Sequence, residues 1–308
     1  MLNNKTYALK EIPKYMLHSY NVIYSHLTEP NIQKEFNRND FLPEIISSFH
    51  DYDFIYLITT YYDGKSLNFF EKQNMTEKQI KFVSACIIQA LSNLREKKII
   101  HRDLSCNNVI MDKNKYFNVI DFSFSIYYSQ KDNKKKYMST FNKMAAPENL
   151  NFQTIDYNSD YYRLGSIIYY LIFKDFPYNL KIKNNITDIK INYKDVKNYS
   201  QNCIDFINKL LISDPKKRIG FKDINELKNH SWFNRFNWDK LAKKKLNSPF
   251  KIIENNTDER KCIKISKPLE FLIKYKLNSK QDHYKLLIKK FDYVNKNILN
   301  QILRIYKN

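Results

Sequence analysis

The feature that most constrains this chain is a change of hydrophobic period near residue 76. Before it, apolar residues come in short strand-like runs. "NNKTYALKEI" reads as one strand, and Glu44–Tyr62 reads as two strands joined by a His-Asp-Tyr-Asp turn. A helical stretch over Tyr20–Glu29 separates them, and Asp63-Gly64-Lys65 gives a turn signal at which one lobe would end. After residue 76, Ile80, Val83, Ile87, Ala90, Leu91 and Leu94 recur every three or four positions, the period of a helix with one buried face. Further helical stretches follow at Ser159–Phe173, Gln201–Leu211 and Ile224–His230. Few strands followed by many helices predict an α+β protein with a small sheet-bearing front and a large helical back.

Composition narrows the class. At 308 residues the chain can bury a core as one large domain or two modest lobes. Its formal net charge of +20 comes mostly from Lys, with no compact basic stripe interleaved with aromatics. The excess is therefore read as compositional, and no specific nucleic-acid partner is expected. Cys86, Cys106, Cys203 and Cys262 match no zinc spacing or disulfide framework, which fits free thiols in a reducing compartment. The N-terminus lacks an apolar signal region, and the run Ser166–Phe173 is too short to span a bilayer. A soluble cytoplasmic protein without a transmembrane segment is expected.

The chemistry concentrates in "IIHRDLSCNNVIMD", Ile99–Asp112. A loop between a helix and a short strand can aim Asp103 and Asn108 at one point. A carboxylate there can take a proton from a hydroxyl, and a neighbouring amide oxygen can ligate Mg²⁺. Asp103 could equally cap a turn. The following apolar strand, Tyr116–Ile120, ends in Asp121, a second carboxylate suited to a metal.

Spaced as H-R-D-L-x-x-x-N, then D-F-x, then Ala146-Pro147-Glu148, these residues resemble the signature set of eukaryotic protein kinases. "YALK" is similar to the phosphate-binding lysine motif, and "LTEPNI" to the end of the helix carrying its glutamate partner. "SDYYRLG" resembles the central helix of the large lobe, and "LLISDPKKRIG" the segment whose Arg pairs with the APE glutamate. "LKNHSWFNRFNWDKLAKKKLNSPF" resembles the junction and early tail of the cyclic-nucleotide-dependent (AGC-type) serine/threonine kinases. The likeness covers roughly residues 5–250.

It implies a bilobal kinase fold: an N-lobe over 1–63 that lacks part of the usual sheet, a C-lobe over 64–238, and an AGC-like tail and helical extension over 239–308. It implies ATP and Mg²⁺ as cofactors and a protein substrate. Asp103 would orient or deprotonate the substrate hydroxyl, Asn108 and Asp121 would hold Mg²⁺, and Lys10 steadied by Glu29 would anchor the α- and β-phosphates. Thr59 would stand at the gatekeeper position. Thr60–Asp63, with Thr60 and Tyr62, would form the hinge that binds adenine through its backbone. Arg102 would neutralise a phosphate or acid on the activation segment, where Ser139 and Thr140 are the candidate phosphosites. That segment, "SQKDNKKKYMSTFNKMAAPE", reads more simply as a solvated basic loop. His101, Phe122, Glu148, Asp160 and Arg218 would be structural.

Departures from the pattern leave a rival reading. Ser105 stands where serine/threonine kinases carry a lysine, and Ser123 where D-F-G has glycine. Only nine residues precede Lys10, too few for the Gly-rich strand-turn-strand. Pro30 should break a helix running through Glu29, and Gln33 occupies a position that is usually apolar. The three positions at which arginine-seeking relatives carry glutamate hold Ser66, Asn107 and Tyr170, so a basic-directed specificity is not expected. A pseudokinase scaffold that turns over little or no ATP is therefore the first alternative to a serine/threonine kinase. A basic nucleic-acid or membrane-surface binder on the same scaffold is the second. Finally, Tyr284, Phe291, Ile298 and Ile305 fall every seven residues near the C-terminus, predicting an amphipathic helix over 281–308. Its apolar face would pack on the kinase lobe, dock a partner or self-associate.

Overall fold

A computed structural model of the chain describes residues 6–13, 28–36, 40–51, 53–128, 143–150, 156–177, 198–251 and 293–294. In chain order the elements are β1 (Tyr7–Pro13), β2 (Ile45–His50), β3 (Phe54–Thr60), α1 (Glu77–Glu96), β4 (Ile99–Ile100), β5 (Val109–Met111), β6 (Phe117–Val119), β7 (Ile126–Tyr127), α2 (Pro147–Leu150), α3 (Asn158–Phe173), α4 (Gln201–Leu210), α5 (Asn225–Lys228), α6 (Trp238–Ala242) and β8 (Tyr293–Val294). They fall into two compact units. The first takes in the described residues of 1–36 and 43–62 with β8, and the second those of 37–42 and 63–251.

The first unit is an antiparallel sheet in the order β1-β3-β2-β8. The β2–β3 hairpin forms because Asp51 can satisfy its own turn. One carboxylate oxygen accepts the N–H groups of Asp53 (2.9 Å) and Phe54 (2.7 Å), and the other accepts the Tyr56 hydroxyl. Phe49 and Tyr56 stack across the pair with centroids 4.9 Å apart. Residues 28–33 are helical, which corrects the expectation for Pro30. The Pro30 carbonyl accepts the Lys34 N–H at 3.0 Å, so the ring removes its own donor without ending the helix. Gln33 is buried, and its side-chain oxygen meets no donor among the described residues.

The expected C-terminal helix is corrected at its one described pair. Tyr293 and Val294 form a strand, antiparallel to Ser48 and Ser47 of β2. An aromatic and a β-branched residue favour the pleated surface, and the edge of β2 offers backbone groups for them to pair with. The remainder of 281–308 lies outside the described residues.

The second unit is mostly helical. A capping box starts α1: the Thr76 side chain accepts the Gln79 N–H, and the Gln79 side chain accepts the Thr76 N–H. All six residues of its predicted apolar stripe are buried. α3 is buried nearly all round, and Gly165 lets α4 approach, since a Cβ there would lie 2.8 Å from the Leu210 Cβ. α5 is shorter than expected. Arg218, fully buried, locks three segments together. It makes a two-pronged ion pair with Glu148 (2.6 and 3.0 Å) and donates to the carbonyls of Ile212, Ser213 and Asn158. The tail after α6 is tied down as well. Lys244 bonds Asp112 and Asn118, the Tyr116 hydroxyl donates to the Leu246 carbonyl, and Phe250 packs on Phe70 and Phe117.

None of the described helices is long and apolar enough to cross a membrane. Gly64 donates to the Met111 carbonyl at 3.1 Å, and a Cβ on it would sit 2.3 Å from that oxygen. Gly64→Ala should therefore lower stability by about 1–3 kcal/mol, read as a fall in melting temperature. An unchanged melting curve would contradict this close approach.

Candidate active site

Two short ladders of the second unit frame the site. In β5–β6, Val109 pairs with Val119, and the Ile120 N–H donates to the Asn108 carbonyl at 2.9 Å. An antiparallel register that continues to Asn108 and Ile120 brings Asn108 and the residue after Ile120, Asp121, to the same end of the hairpin. The hairpin closes because Asp112 accepts the N–H groups of Asn114 (2.9 Å) and Tyr116 (3.0 Å). In β4–β7, Ile99 pairs with Tyr127 and Ile100 with Ile126. The segment after Ile100 and the segment before Ile126 are therefore held side by side.

Between the ladders, the loop is held by one carboxylate from α3. Asp160 accepts the backbone N–H of His101 at 2.8 Å and of Arg102 at 2.9 Å. Burial pushes its carboxyl up, opposed by His101, those two N–H groups and Arg163. The His101 ring packs edge-on against Phe122 at 4.9 Å, and its Nε2 lies 3.1 Å from the Ile120 carbonyl. Ser125 adds a hydrogen bond to the His101 carbonyl at 3.1 Å. Arg102 is buried, and it and Asp121 have φ of +69° and +65°, a left-handed conformation that costs roughly 1–3 kcal/mol at each non-glycine residue.

Asp103 and Asn108 are in contact. The Asn108 amide nitrogen donates to the Asp103 backbone carbonyl (2.8 Å) and to Oδ2 (3.0 Å), leaving the amide oxygen as the group that can accept a cation. Asp103 Oδ1 lies 3.9 Å from Nη1 of Arg163, whose side chain is fully buried on α3. Asp121 Oδ1 accepts the Ser123 hydroxyl at 2.5 Å and the Ser123 N–H at 3.3 Å. Carboxylate and amide oxygens are the donor type that Mg²⁺ prefers, so Asn108 and Asp121 fit that ion. Burial pushes the Cys106 thiol up to about 12, so this loop cysteine is inert as a nucleophile.

The other expected residues fall as follows. In the first unit, the Lys10 ammonium lies 3.0 Å from both carboxylate oxygens of Glu29, with Lys10 35% and Glu29 1% exposed. Thr59 sits in β3 between Ala8 and Ile45, half-buried. Thr60 ends β3 and is bonded to Glu44 through both backbone and hydroxyl, and Tyr62 is half-buried beyond it. Glu148 and Arg218 are paired as described above. Ser139 and Thr140 lie outside the described residues, so their expected engagement with Arg102 does too. Sequence reasoning missed two contacts, Arg163 with Asp103 and the Ser123 hydroxyl with Asp121. The first had a signal: Arg163 is the only basic residue in the otherwise mostly apolar run Asn158–Phe173.

A protein kinase domain model matches residues 1–233. The chain is 30% identical over 254 residues to serine/threonine-protein kinase sgk-1 of Caenorhabditis elegans, covering 80% of this chain and 54% of that one. It is 28% identical to serine/threonine-protein kinase Sgk1 of Danio rerio, with 80% and 58% covered. With the RAC serine/threonine-protein kinase of Drosophila melanogaster it shares 29%, covering 83% and 43%. The chain thus spans about half the length of the curated relatives it matches. The loop geometry and these likenesses agree: the chain belongs to the protein kinase family and carries an AGC-like kinase domain.

Proposed function

We propose that the chain is a serine/threonine protein kinase that transfers the γ-phosphoryl group of ATP to protein hydroxyls. The observation that carries this reading is the convergence of Asp103, Asn108 and Asp121 at one end of the β5–β6 hairpin, with the loop backbone fixed by Asp160. The named relatives are serine/threonine kinases, and their family uses ATP and Mg²⁺.

In this reading Asp103 accepts the proton of the attacking hydroxyl. The hydroxyl oxygen bonds to the γ-phosphorus, and the bridging oxygen leaves with ADP. Asn108 and Asp121 hold Mg²⁺, which when bound neutralises phosphate charge. Lys10, kept in place by Glu29, binds the α- and β-phosphates, and the backbone of Thr60–Asp63 receives adenine beside Thr59. The substrate is a protein without a basic-directed motif, because Ser66, Asn107 and Tyr170 present no carboxylate for one. The Tyr170 ring stacks instead on Phe176, with centroids 4.8 Å apart. The reading places the protein in the cytoplasm.

One observation favours a pseudokinase as the second reading. The Ser123 hydroxyl engages an oxygen of Asp121 that a metal would use.

Millimolar Mg·ATP should raise the melting temperature of the purified chain by mass action, and Asp121→Asn should abolish the Mg²⁺-dependent part. No shift in the wild-type chain would favour the pseudokinase. Asp103→Ala should remove phosphate transfer to a generic protein substrate while leaving the Mg·ATP shift nearly intact. Equal rates in the wild type and this variant would refute the assignment of the base. Ser123→Gly should tighten Mg²⁺-dependent ATP binding by freeing Asp121 Oδ1, measured by calorimetry. Unchanged or weaker binding would show that the hydroxyl supports the metal site rather than competing for it.

A further inference from the structure

An aromatic ledge with one exposed lysine stands beside the proposed catalytic loop. The ledge begins in α3, where the Tyr170 ring stacks on Phe176 with centroids 4.8 Å apart. The Tyr170 hydroxyl donates to Glu71, and burial together with that bond pushes its phenol up. Glu71 and Lys174 both act on the Cys106 thiol, which burial raises first. The ledge therefore borders the turn between Asp103 and Asn108. The Lys143 ammonium lies over the Phe176 ring, 5.0 Å from its centroid.

The charges around this ledge are not equally engaged. Glu71 takes the Tyr170 hydroxyl and faces Lys174, whose own ammonium donates to the Gln73 carbonyl at 2.8 Å. Asp175 accepts the Phe176 N–H at 2.7 Å and acts on Tyr169, which lies on a different face of α3 from Tyr170. Lys143 is exposed, and its ammonium pairs with no carboxylate among the described residues. Its backbone is held all the same, because Met144, Ala145 and Ala146 are buried and Glu148 is fixed by Arg218. We propose that Lys143 is a specificity-determining residue, selecting protein substrates that carry an aspartate or glutamate within a few positions of the acceptor hydroxyl. This rests on the kinase reading and names its substrate class. The ion pair with the substrate forms at the solvent edge, so it is modest and weakened by salt. It acts on substrate binding and not on the chemical step.

The test uses the full chain and a set of peptides of one composition, each with a single serine acceptor, neutral residues and one glutamate moved from position to position. Every peptide has the same net charge, so the +20 of the whole chain favours none of them. With the wild type, one glutamate position should lower the peptide KM about 2–5-fold below the others, with kcat within about twofold. Lys143→Ala should flatten this profile and leave the rate on the remaining peptides within about twofold of wild type. Lys143→Glu should invert it, so that arginine at the same position is preferred to glutamate. A flat profile in the wild type would overturn the proposal, as would a preferred position that persists in Lys143→Ala.

If no peptide is phosphorylated above an Asp103→Ala blank, the kinase reading fails, and binding then decides the role of Lys143. Fluorescence anisotropy of the same labelled peptides, without nucleotide, is the readout. Tighter binding of one glutamate peptide by the wild type, with arginine at that position preferred by Lys143→Glu, would support selection of an acidic segment. Equal binding across the set, or the same preference in wild type and Lys143→Glu, would overturn it.

Discussion

The carboxylate of Asp160 is the constraint on which the catalytic half of this protein depends. It is buried on α3, and it fixes two consecutive backbone N–H groups of the loop, those of His101 and Arg102. A peptide held at two successive donors cannot rotate, so the direction of the next residue, Asp103, is set. The clamp also explains how Arg102 keeps a left-handed backbone, since a strained residue persists only where its surroundings over-determine it. The His101 ring then carries the constraint to Phe122, next to Asp121. One buried acid thereby links the base-bearing loop to the residue proposed to hold the metal.

Charge is used inside this molecule for geometry more than for net stability. Arg218 with Glu148 and Lys10 with Glu29 each place a carboxylate at 3% exposure or less against a cation. Such pairs contribute little beyond well-packed apolar residues, yet removing one partner leaves a buried charge and is costly. Arg218 shows what the arrangement secures. Its five donor contacts join α2, the start of α3 and the segment after α4, positions far apart in the chain. Arg163 differs because the carboxylate it faces belongs to the proposed reaction.

Much of this was legible in the sequence, for physical reasons. The α1 stripe from Ile80 to Leu94 declares a helix because its period is 3.6, and the change of period near residue 76 declares where it starts. The turn at His50–Asp53 is readable because an aspartate can satisfy a tight turn alone. The motif residues could be assigned roles from resemblance, and Lys10 does meet Glu29, as does Arg218 Glu148. What was not legible depends on tertiary contact. No local rule says that the Ser123 hydroxyl turns back to Asp121, or that Arg163 faces Asp103. Pro30 was read as a helix breaker because the rule concerns a lost donor, yet residues 28–33 are helical and its carbonyl accepts the Lys34 N–H. The heptad around Phe291 suggested a helix, while Tyr293 and Val294 pair with β2, because an available sheet edge outweighs local period.

The most direct measurement of the clamp is residue-resolved amide hydrogen exchange in the native full-length chain. If Asp160 holds the loop, the His101 and Arg102 amides exchange as slowly as those at the centre of α3. In Asp160→Ala they become fast while α1 stays protected. Rapid exchange of both amides in the wild-type protein would contradict the account, because the loop that aims Asp103 would then be held by something other than this carboxylate.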